Sequence, residues 1–505
     1  MSIRYPTSRT PLAVAMTLAV CTLLGACAVG PDYVKPDTAA PLAYKENSGW
    51  KVAQPADTAD RGKWWEVFGD AQLDALAEQV DISNQTVKAA AAQYEQARAL
   101  VESARAAYFP TLGVNAAATR SGQGSRVTTG TAGEAANGTA TGTSGVGNRV
   151  SLSLGASWEA DIWGKVRRAS EAQTSGAQAS AADLAAARLS AQGQLAQSYF
   201  TLRQVDAQIQ LFADTVAAYQ KSLQLTKNRY AGGVSAKADV VAADTQLKTA
   251  QAQAINLGVQ RAQLEHAIAL LVGQPASTFS IAPAPLAVLP PPPVPEAGLP
   301  SQLLERRPDV AAAERRVAAA NAQIGVARAA YFPALSLSAS AGYQGSALAN
   351  LLSLPNRFWS IGPQLAATLF DGGARDAQSR QARAVYDQDV ALYRQTVLTG
   401  FREVEDNLAA LRILQQQAVV QDAALQAARE SVKLTINQYK AGVVSYLNVV
   451  AAQATAFSTE RDAVSLLGSR YVASVQLIQA LGGGWHAVSL PDAEAVNAAN
   501  DPARK

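Results

Sequence analysis

At 505 residues the chain has room for several domains, but only 16% of it is charged, against about 25% in an ordinary soluble protein, while 49% is hydrophobic. A formal net charge of +3 with no dense Lys/Arg cluster gives no basic stripe of the kind nucleic acid needs, which excludes that partner. Cysteine occurs only at Cys21 and Cys27 and histidine only at His266 and His486, with no spaced acidic or cysteine partner, so no metal site, cofactor site or catalytic cluster is indicated.

The first elements read as an export signal over residues 1–26. Arg4 and Arg9 supply positive charge, and Leu12 to Leu24 form an apolar core shorter than the roughly 20 residues that span a bilayer. Leu24-Gly25-Ala26-Cys27 resembles the lipobox of bacterial lipoproteins, which implies cleavage before Cys27 and acylation there. Ordinary signal cleavage with Cys27 incidental is the competing reading. Ala28 is not the aspartate that, in that resemblance, signals retention in the inner membrane, which favours the outer one. Because Cys21 leaves with the signal, the mature chain has no pair to oxidise. Residues 27–82 then form an N-terminal lipidated segment.

A first repeat follows over residues 83–280. A helix is predicted from Ser83 to Ala107 and ends at Arg105-Ala106-Ala107-Tyr108-Phe109-Pro110, where Pro110 marks the junction to a strand. Period-two alternation then sets Leu112, Val114, Ala116 and Ala118 against Gly113, Asn115, Ala117 and Thr119, and Val150 to Trp158 against Ser151 to Glu159. The Gly/Thr/Ser-rich stretch from Ser121 to Arg149 between these strands reads as a mobile loop. From Lys165 to Tyr230 a helix of about 100 Å is predicted, with Leu195, Leu202, Ile209, Val216, Leu223 and Tyr230 at heptad spacing, as in a coiled-coil seam. Glycines at Ala231-Gly232-Gly233 turn the chain, and a second helix returns from Lys237 to Val272.

Residues 281–300 are proline-rich and read as an extended linker. The second repeat, over residues 301–482, restates the first. Arg328-Ala329-Ala330-Tyr331-Phe332-Pro333 copies the earlier hexapeptide, so Pro333 is the second helix–strand junction, and Tyr439, Gly442 and Val449-Val450 match Tyr230, Gly233 and Val240-Val241. Its strands alternate from Leu335 to Tyr343 and from Trp359 to Leu369, where Pro363 predicts a bulge or local irregularity. The seam recurs at Val404, Leu411, Ala418, Leu425, Val432 and Tyr439, and residues 483–505 form a tail. The fold class expected is mixed α and transmembrane β. Four strands cannot close a barrel, which starts at about eight, and an open edge in lipid leaves backbone groups unpaired, so several chains are expected to pool their strands; three would give twelve.

At this point the chain resembles the TolC/OprM-like outer membrane factors, particularly their lipoprotein NodT-like branch. The residues that carry the resemblance are Gly30-Pro31-Asp32-Tyr33, Trp64-Trp65, Phe68-Gly69-Asp70, Leu73-Asp74, Leu303-Leu304-Glu305-Arg306-Arg307-Pro308-Asp309-Val310, the two Arg-Ala-Ala-Tyr-Phe-Pro segments and the two glycine turns. The resemblance implies a homotrimer with a twelve-stranded β-barrel in outer membrane lipid, a coiled-coil periplasmic tunnel, an equatorial belt built from the linker and the chain ends (27–82 and 483–505) and packed by Trp64, Trp65 and Phe68, and partnership with a periplasmic adaptor and an inner-membrane pump. It implies a passive exit duct for drugs or other small toxic compounds. A type I protein exporter, a solute porin and a non-channel structural lipoprotein are the alternatives.

Two sets of residues are candidates for function. Asp239 and Asp244 follow the first turn and, repeated by threefold symmetry, form carboxylate rings that narrow the pore if they face it; otherwise they are solvated or serve a helix N-terminus. Many relatives carry an acid and an arginine just after the second turn, where this chain has Ala451 and Ala454. The turn residues Arg229, Tyr230, Gly233, Tyr439, Gly442 and Ser445 are candidates for contact with the adaptor, their other role being simply to reverse the chain.

Overall fold

The structure is a computed structural model that describes residues 29–38, 40, 41, 43–47, 62–122, 146–284, 286 and 300–498. The signal, Cys27, residues 123–145 of the first interstrand segment and most of the proline-rich linker lie outside the described residues.

The described elements run, in chain order, α1 (Ala71–Ser83), α2 (Gln85–Ala106), β1 (Thr111–Gly122), β2 (Val146–Ala160), α3 (Lys165–Ala231), α4 (Lys237–Leu271), α5 (Pro300–Arg306), α6 (Pro308–Ala329), β3 (Ala334–Gly345), β4 (Arg357–Ala366), α7 (Ala374–Lys440), α8 (Tyr446–Ala480) and α9 (Ala493–Ala498). The duplication holds to the residue: α2 and α6 have 22 residues each, α3 and α7 have 67, and α4 and α8 have 35.

Three expectations need correction. The helix predicted from Ser83 starts at Gln85, and a separate helix, α1, ends at Ser83 just before it. Asp70 caps α1, its carboxylate accepting from the N–H groups of Gln72 and Leu73, and Asn84, extended at φ −61 and ψ 125, separates α1 from α2. The Asn84 side chain accepts from Val87 N, as an N-cap does, so a second helix starts there rather than the first continuing. β4 ends at Ala366, short of Leu369. Pro363 causes no bulge, since β3 and β4 pair without a break from Ala334↔Ala366 to Tyr343↔Arg357, with Pro363 opposite Leu337. β4 is an edge strand of the sheet, and edge strands accept proline where the missing N–H falls on the unpaired side.

The chain divides into two compact units. One, residues 1–34, 99–175 and 318–388, holds the sheet. Within it Arg168 is buried and pairs with Asp32 and Glu171 at 2.8 Å each, fastening the segment around Pro31, whose carbonyl accepts from Asn321. The other, residues 35–98, 176–317 and 389–505, is helical. Its largest core gathers Trp64, Trp65 and Phe68 with Tyr199, Phe200, Leu202, Tyr471 and Val475, and Phe200 stacks on Tyr471 at 4.7 Å. Of the predicted seam, Leu195, Leu202 and Leu223 in the first copy and Val404, Leu411 and Tyr439 in the second are buried, Tyr230 is exposed and the others are half-buried. The linker begins tied down. Ile281 donates its N–H to Glu265 and its carbonyl accepts from Arg261, and the Ala282 carbonyl accepts from the buried Arg203. In the Arg-Pro-Asp motif, Arg307 is buried and holds Asp309 through two nitrogens and Glu403 through a third, so it joins the start of α6 to α7.

Candidate functional site

The sheet has the order β1-β2-β3-β4, every neighbour antiparallel. Residues directly opposite in an antiparallel ladder point to one face, so the register decides whether the four alternations agree. They do. Val114 pairs with Leu154, Leu154 with Ala341, and Ala341 with Trp359, while the next row runs Leu112, Ala156, Ala339 and Ile361. The opposite face collects Asn115, Ser153, Gly342 and, alone in being apolar, Phe358 in one row and Gly113, Gly155, Ser340 and Ser360 in another, with Ser340 and Ser360 hydroxyls 2.8 Å apart.

The apolar face is uncovered. Leu112, Val114, Leu154, Trp359, Ile361 and Leu365 are all more than half exposed, a pattern a water-soluble sheet does not leave open. Aromatic residues border it where Pro110 and Pro333 start their strands: Phe109, Phe332 and Phe370 are exposed, Trp163 stacks on Phe332 at 4.7 Å and donates to the Pro333 carbonyl, and Trp158 donates to the Tyr108 carbonyl. Amphipathic rings in such a border suit the level of lipid headgroups. Both sheet edges, β1 and β4, have only one neighbour among the described residues. No described helix is long and apolar enough to cross a membrane.

The second locus is the pair of helix turns. At the end of α3, Gly233 has φ 74, its N–H bonds to the Tyr230 carbonyl, and Val234 N bonds back to Arg229 O. At the end of α7, Gly442 has φ 77 and Val443 N bonds to Gln438 O in the same way. These are the paired bonds that end a helix on a left-handed residue, a conformation glycine adopts without steric cost. Side chains then join the two turns. The Arg229 guanidinium lies 4.7 Å from the Tyr439 ring centre and donates to the Lys440 carbonyl, one of the orphan acceptors at the end of α7. Beneath them a core of Tyr219, Leu223, Leu247, Tyr439, Tyr446 and Val449 packs α3, α4, α7 and α8 together, with the two second-copy tyrosine rings 5.4 Å apart. Burial pushes the Tyr446 phenol up to about 12, and the neighbouring Tyr439 pushes the same way.

The turn candidates therefore divide. Tyr230, Gly233, Gly442 and Ser445 are exposed, whereas Tyr439 is only 3% exposed and packs inside, because its ring forms the platform under Arg229. Asp239 and Asp244 are not brought to one cluster. Asp239 sits in the first turn of α4 and accepts from Ser235 Oγ at 2.6 Å, a helix-start role, while Asp244 is exposed. Ala451 and Ala454 lie on α8 with no charged group of their own. The Arg229–Tyr439 contact escaped the sequence, since nothing local links residues so far apart. Among the described residues no group of three or more His, Cys, Asp or Glu is placed to hold a metal ion.

The model of the outer membrane efflux protein family matches residues 76–274 and 299–483, one stretch in each repeat. The chain is 31% identical over 479 residues to the toluene efflux pump outer membrane protein TtgC of Pseudomonas putida, covering 93% of this chain and 96% of that protein. It is 29% identical over 485 residues to the cation efflux system protein CusC of Escherichia coli, covering 95% and 99%. The open-state structure of the Neisseria gonorrhoeae MtrE outer membrane channel superposes with a TM-score of 0.78 at 27% identity, covering 91% of this chain and 99% of that one.

Proposed function

The chain belongs to the outer membrane efflux protein family, and from that premise we propose that three copies pool their sheets into a twelve-stranded barrel that serves as the passive exit duct of a tripartite pump. It is an outer-membrane efflux protein. The observation that carries the trimer is the sheet itself: four strands in one unbroken register, one face greasy and uncovered, both edges open. In lipid an open edge leaves each unpaired N–H and C=O without water, at several kcal/mol apiece, and pairing β1 of one copy with β4 of the next removes both edges at once.

Energy for transport comes from a partner, since the chain carries no nucleotide loop. A periplasmic adaptor and an inner-membrane pump of the resistance-nodulation-division class supply it, and the exposed turn residues Tyr230, Gly233, Gly442 and Ser445 are the adaptor contact. Arg229 holds those turns in place from inside. Asp244 faces the duct and constricts it, with Asp239 held nearby by Ser235. Cys27 carries the lipid. The division into signal (1–26), lipidated segment (27–82), two repeats (83–280 and 301–482), linker (281–300) and tail (483–505) is the organisation proposed. The relatives named above serve toluene and cations, so the cargo is set by the pump rather than by the duct. Type I protein export and a pore-free structural role are the competing readings.

The deciding experiment is complementation. A strain lacking this gene and its neighbouring pump genes is scored for susceptibility to a panel of drugs, solvents and metal ions. Resistance must return only with the whole set, and purified protein must conduct in planar bilayers as a trimer. A water-soluble monomer, or a protein with no conductance, defeats the proposal.

A further inference from the structure

Between α3, α7 and α8, just before the two turns, lies a cavity of about 510 Å³. Ala218, Tyr219, Leu225, Val432, Ile436, Ala456 and Phe457 give it apolar walls, and Lys221, Ser222, Arg429, Lys440, Gln453 and Glu460 supply its polar atoms. Such a volume lies within the roughly 300–1,000 Å³ range of sites that take drug-sized molecules. Apolar walls alone would not make it a site.

One buried group does. Gln453 is 6% exposed and its Nε2 donates to Ser222 Oγ at 3.0 Å, which leaves Oε1 buried without a partner. Turning the amide over only exchanges the roles, for Ser222 then satisfies the oxygen and leaves the nitrogen. A buried amide end with no partner costs about 1–3 kcal/mol, and such groups in native proteins call for an explanation. A small turn of the Gln453 side chain, which lines the cavity, brings that end to a ligand there, and the ligand supplies the missing bond. The duplication sharpens the point. In the alignment that sets Tyr230 against Tyr439, Gln453 stands where the first copy has the exposed Asp244, and Phe457 stands where it has the exposed Lys248. At both positions the second copy has exchanged a surface charge for a group that lines a hollow.

Charge selects the class of ligand. Arg429 is committed to Glu460 at 2.6 Å, and that pair is neutral. Lys221 and Lys440 remain at the rim with no acid among the lining residues to balance them. We propose that this cavity binds an amphipathic organic anion, with an apolar, preferably aromatic, body against Phe457, Ile436 and Val432, its acidic group at Lys221 and Lys440, and a polar atom on the Gln453 amide. Bound there, it bridges α3 of the first repeat to α7 and α8 of the second, and so opposes movement between them. The proposal is independent of the adaptor reading, because none of the exposed turn residues assigned to that contact lines the cavity.

The test uses two dyes with one aromatic skeleton: the anion 1-anilinonaphthalene-8-sulfonate and the uncharged N-phenyl-1-naphthylamine. Each is titrated against full-length protein in lipid nanodiscs, with the signal of empty nanodiscs subtracted. The anion should saturate at one site per chain and bind at least tenfold tighter than the neutral dye. Lys221→Glu with Lys440→Glu, both on exposed side chains, should weaken the anion tenfold or more and leave the neutral dye unchanged. Ala218→Trp should fill the hollow and remove the saturable site for both. Equal affinities for the two dyes, or an anion affinity that neither variant moves, overturns the proposal. So does a dye signal insensitive to Ala218→Trp when that variant weakens association with a helical protein partner, since the groove then belongs to that partner.

Discussion

Ile361 and Ser360 are neighbours on β4 but belong to opposite rows, Ile361 with Ala339, Ala156 and Leu112, and Ser360 with Ser340, Gly155 and Gly113. Arginine is placed at each in turn. On the lipid face near mid-strand, arginine costs about 2–4 kcal/mol, falling toward the interfaces. At Ser360 the loss is one exposed hydroxyl contact, worth about 1 kcal/mol or less. Converted at about 1.4 kcal/mol per factor of ten, Ile361→Arg shifts the folding equilibrium about 30- to 700-fold per chain, and a trimer incurs the cost three times. The assay is refolding from urea into lipid vesicles, followed by the heat-sensitive mobility of the folded form on gels. Ile361→Arg should lower the urea midpoint clearly while Ser360→Arg stays near the parent. Equal midpoints, or a larger loss at Ser360, would show that the greasy row does not face lipid, and the barrel reading would fall with it.

At the turns, Arg229→Ala removes the contact over Tyr439 and the bond to the Lys440 carbonyl, an expected loss of about 1–2 kcal/mol, and protease cleavage after the exposed turn residues should speed up while trimers persist on gels. The proton on Tyr446 sets an alkaline limit: the folded phenol holds it to about 12 against an ordinary value of 10.0, so the unfolded chain ionises first and stability falls as pH rises from about 10 to 12. Tyr446→Phe should flatten that fall in thermal melts, and an unchanged slope would refute the assignment. Asp244→Ala should raise single-channel conductance and lower cation selectivity more than Asp239→Ala does, because Asp239 is already engaged by Ser235; equal currents in both variants would remove the constriction from these acids.

Heptads and two-residue alternation made the long helices and the strands legible, because each is a local periodicity with one physical cause. The register could be anticipated only in part. Period-two patterns say that each strand has a greasy face, but that Val114, Leu154, Ala341 and Trp359 form one row is a property of pairing. The start of α1 was missed although its signal is present, for Asp70 is a plain N-cap directly before Ala71 and accepts from Gln72 N and Leu73 N. β4 reads past its end because Ala367, Thr368 and Leu369 keep the alternation, while Asp371 accepts from Gly373 N and Arg375 N and turns the chain into α7. Tyr230 and Tyr439 read alike in the sequence, each a seam position and a turn candidate, yet Tyr439 is buried beneath Arg229 while Tyr230 is 48% exposed.

That difference says why the copies match in length yet not in chemistry. Adding one residue to a helix advances it about 1.5 Å and turns it about 100°, which moves every seam position beyond it off its partner. The helices are therefore locked at 67, 35 and 22 residues in both halves. Single side chains carry no such penalty, so divergence collects in them. Arg229 faces the Tyr439 ring where the second copy has Gln438, and the buried Gln453 and half-buried Phe457 replace the exposed Asp244 and Lys248. Each exchange lies within a few turns of the glycines. The two helix pairs at the turns therefore differ: the first bears the exposed Asp244, and the second puts Gln453 and Phe457 into the wall of the cavity it shares with α3. Any movement that separates them must break the Arg229 contact, which makes that arginine the residue whose loss should be felt in both pairs.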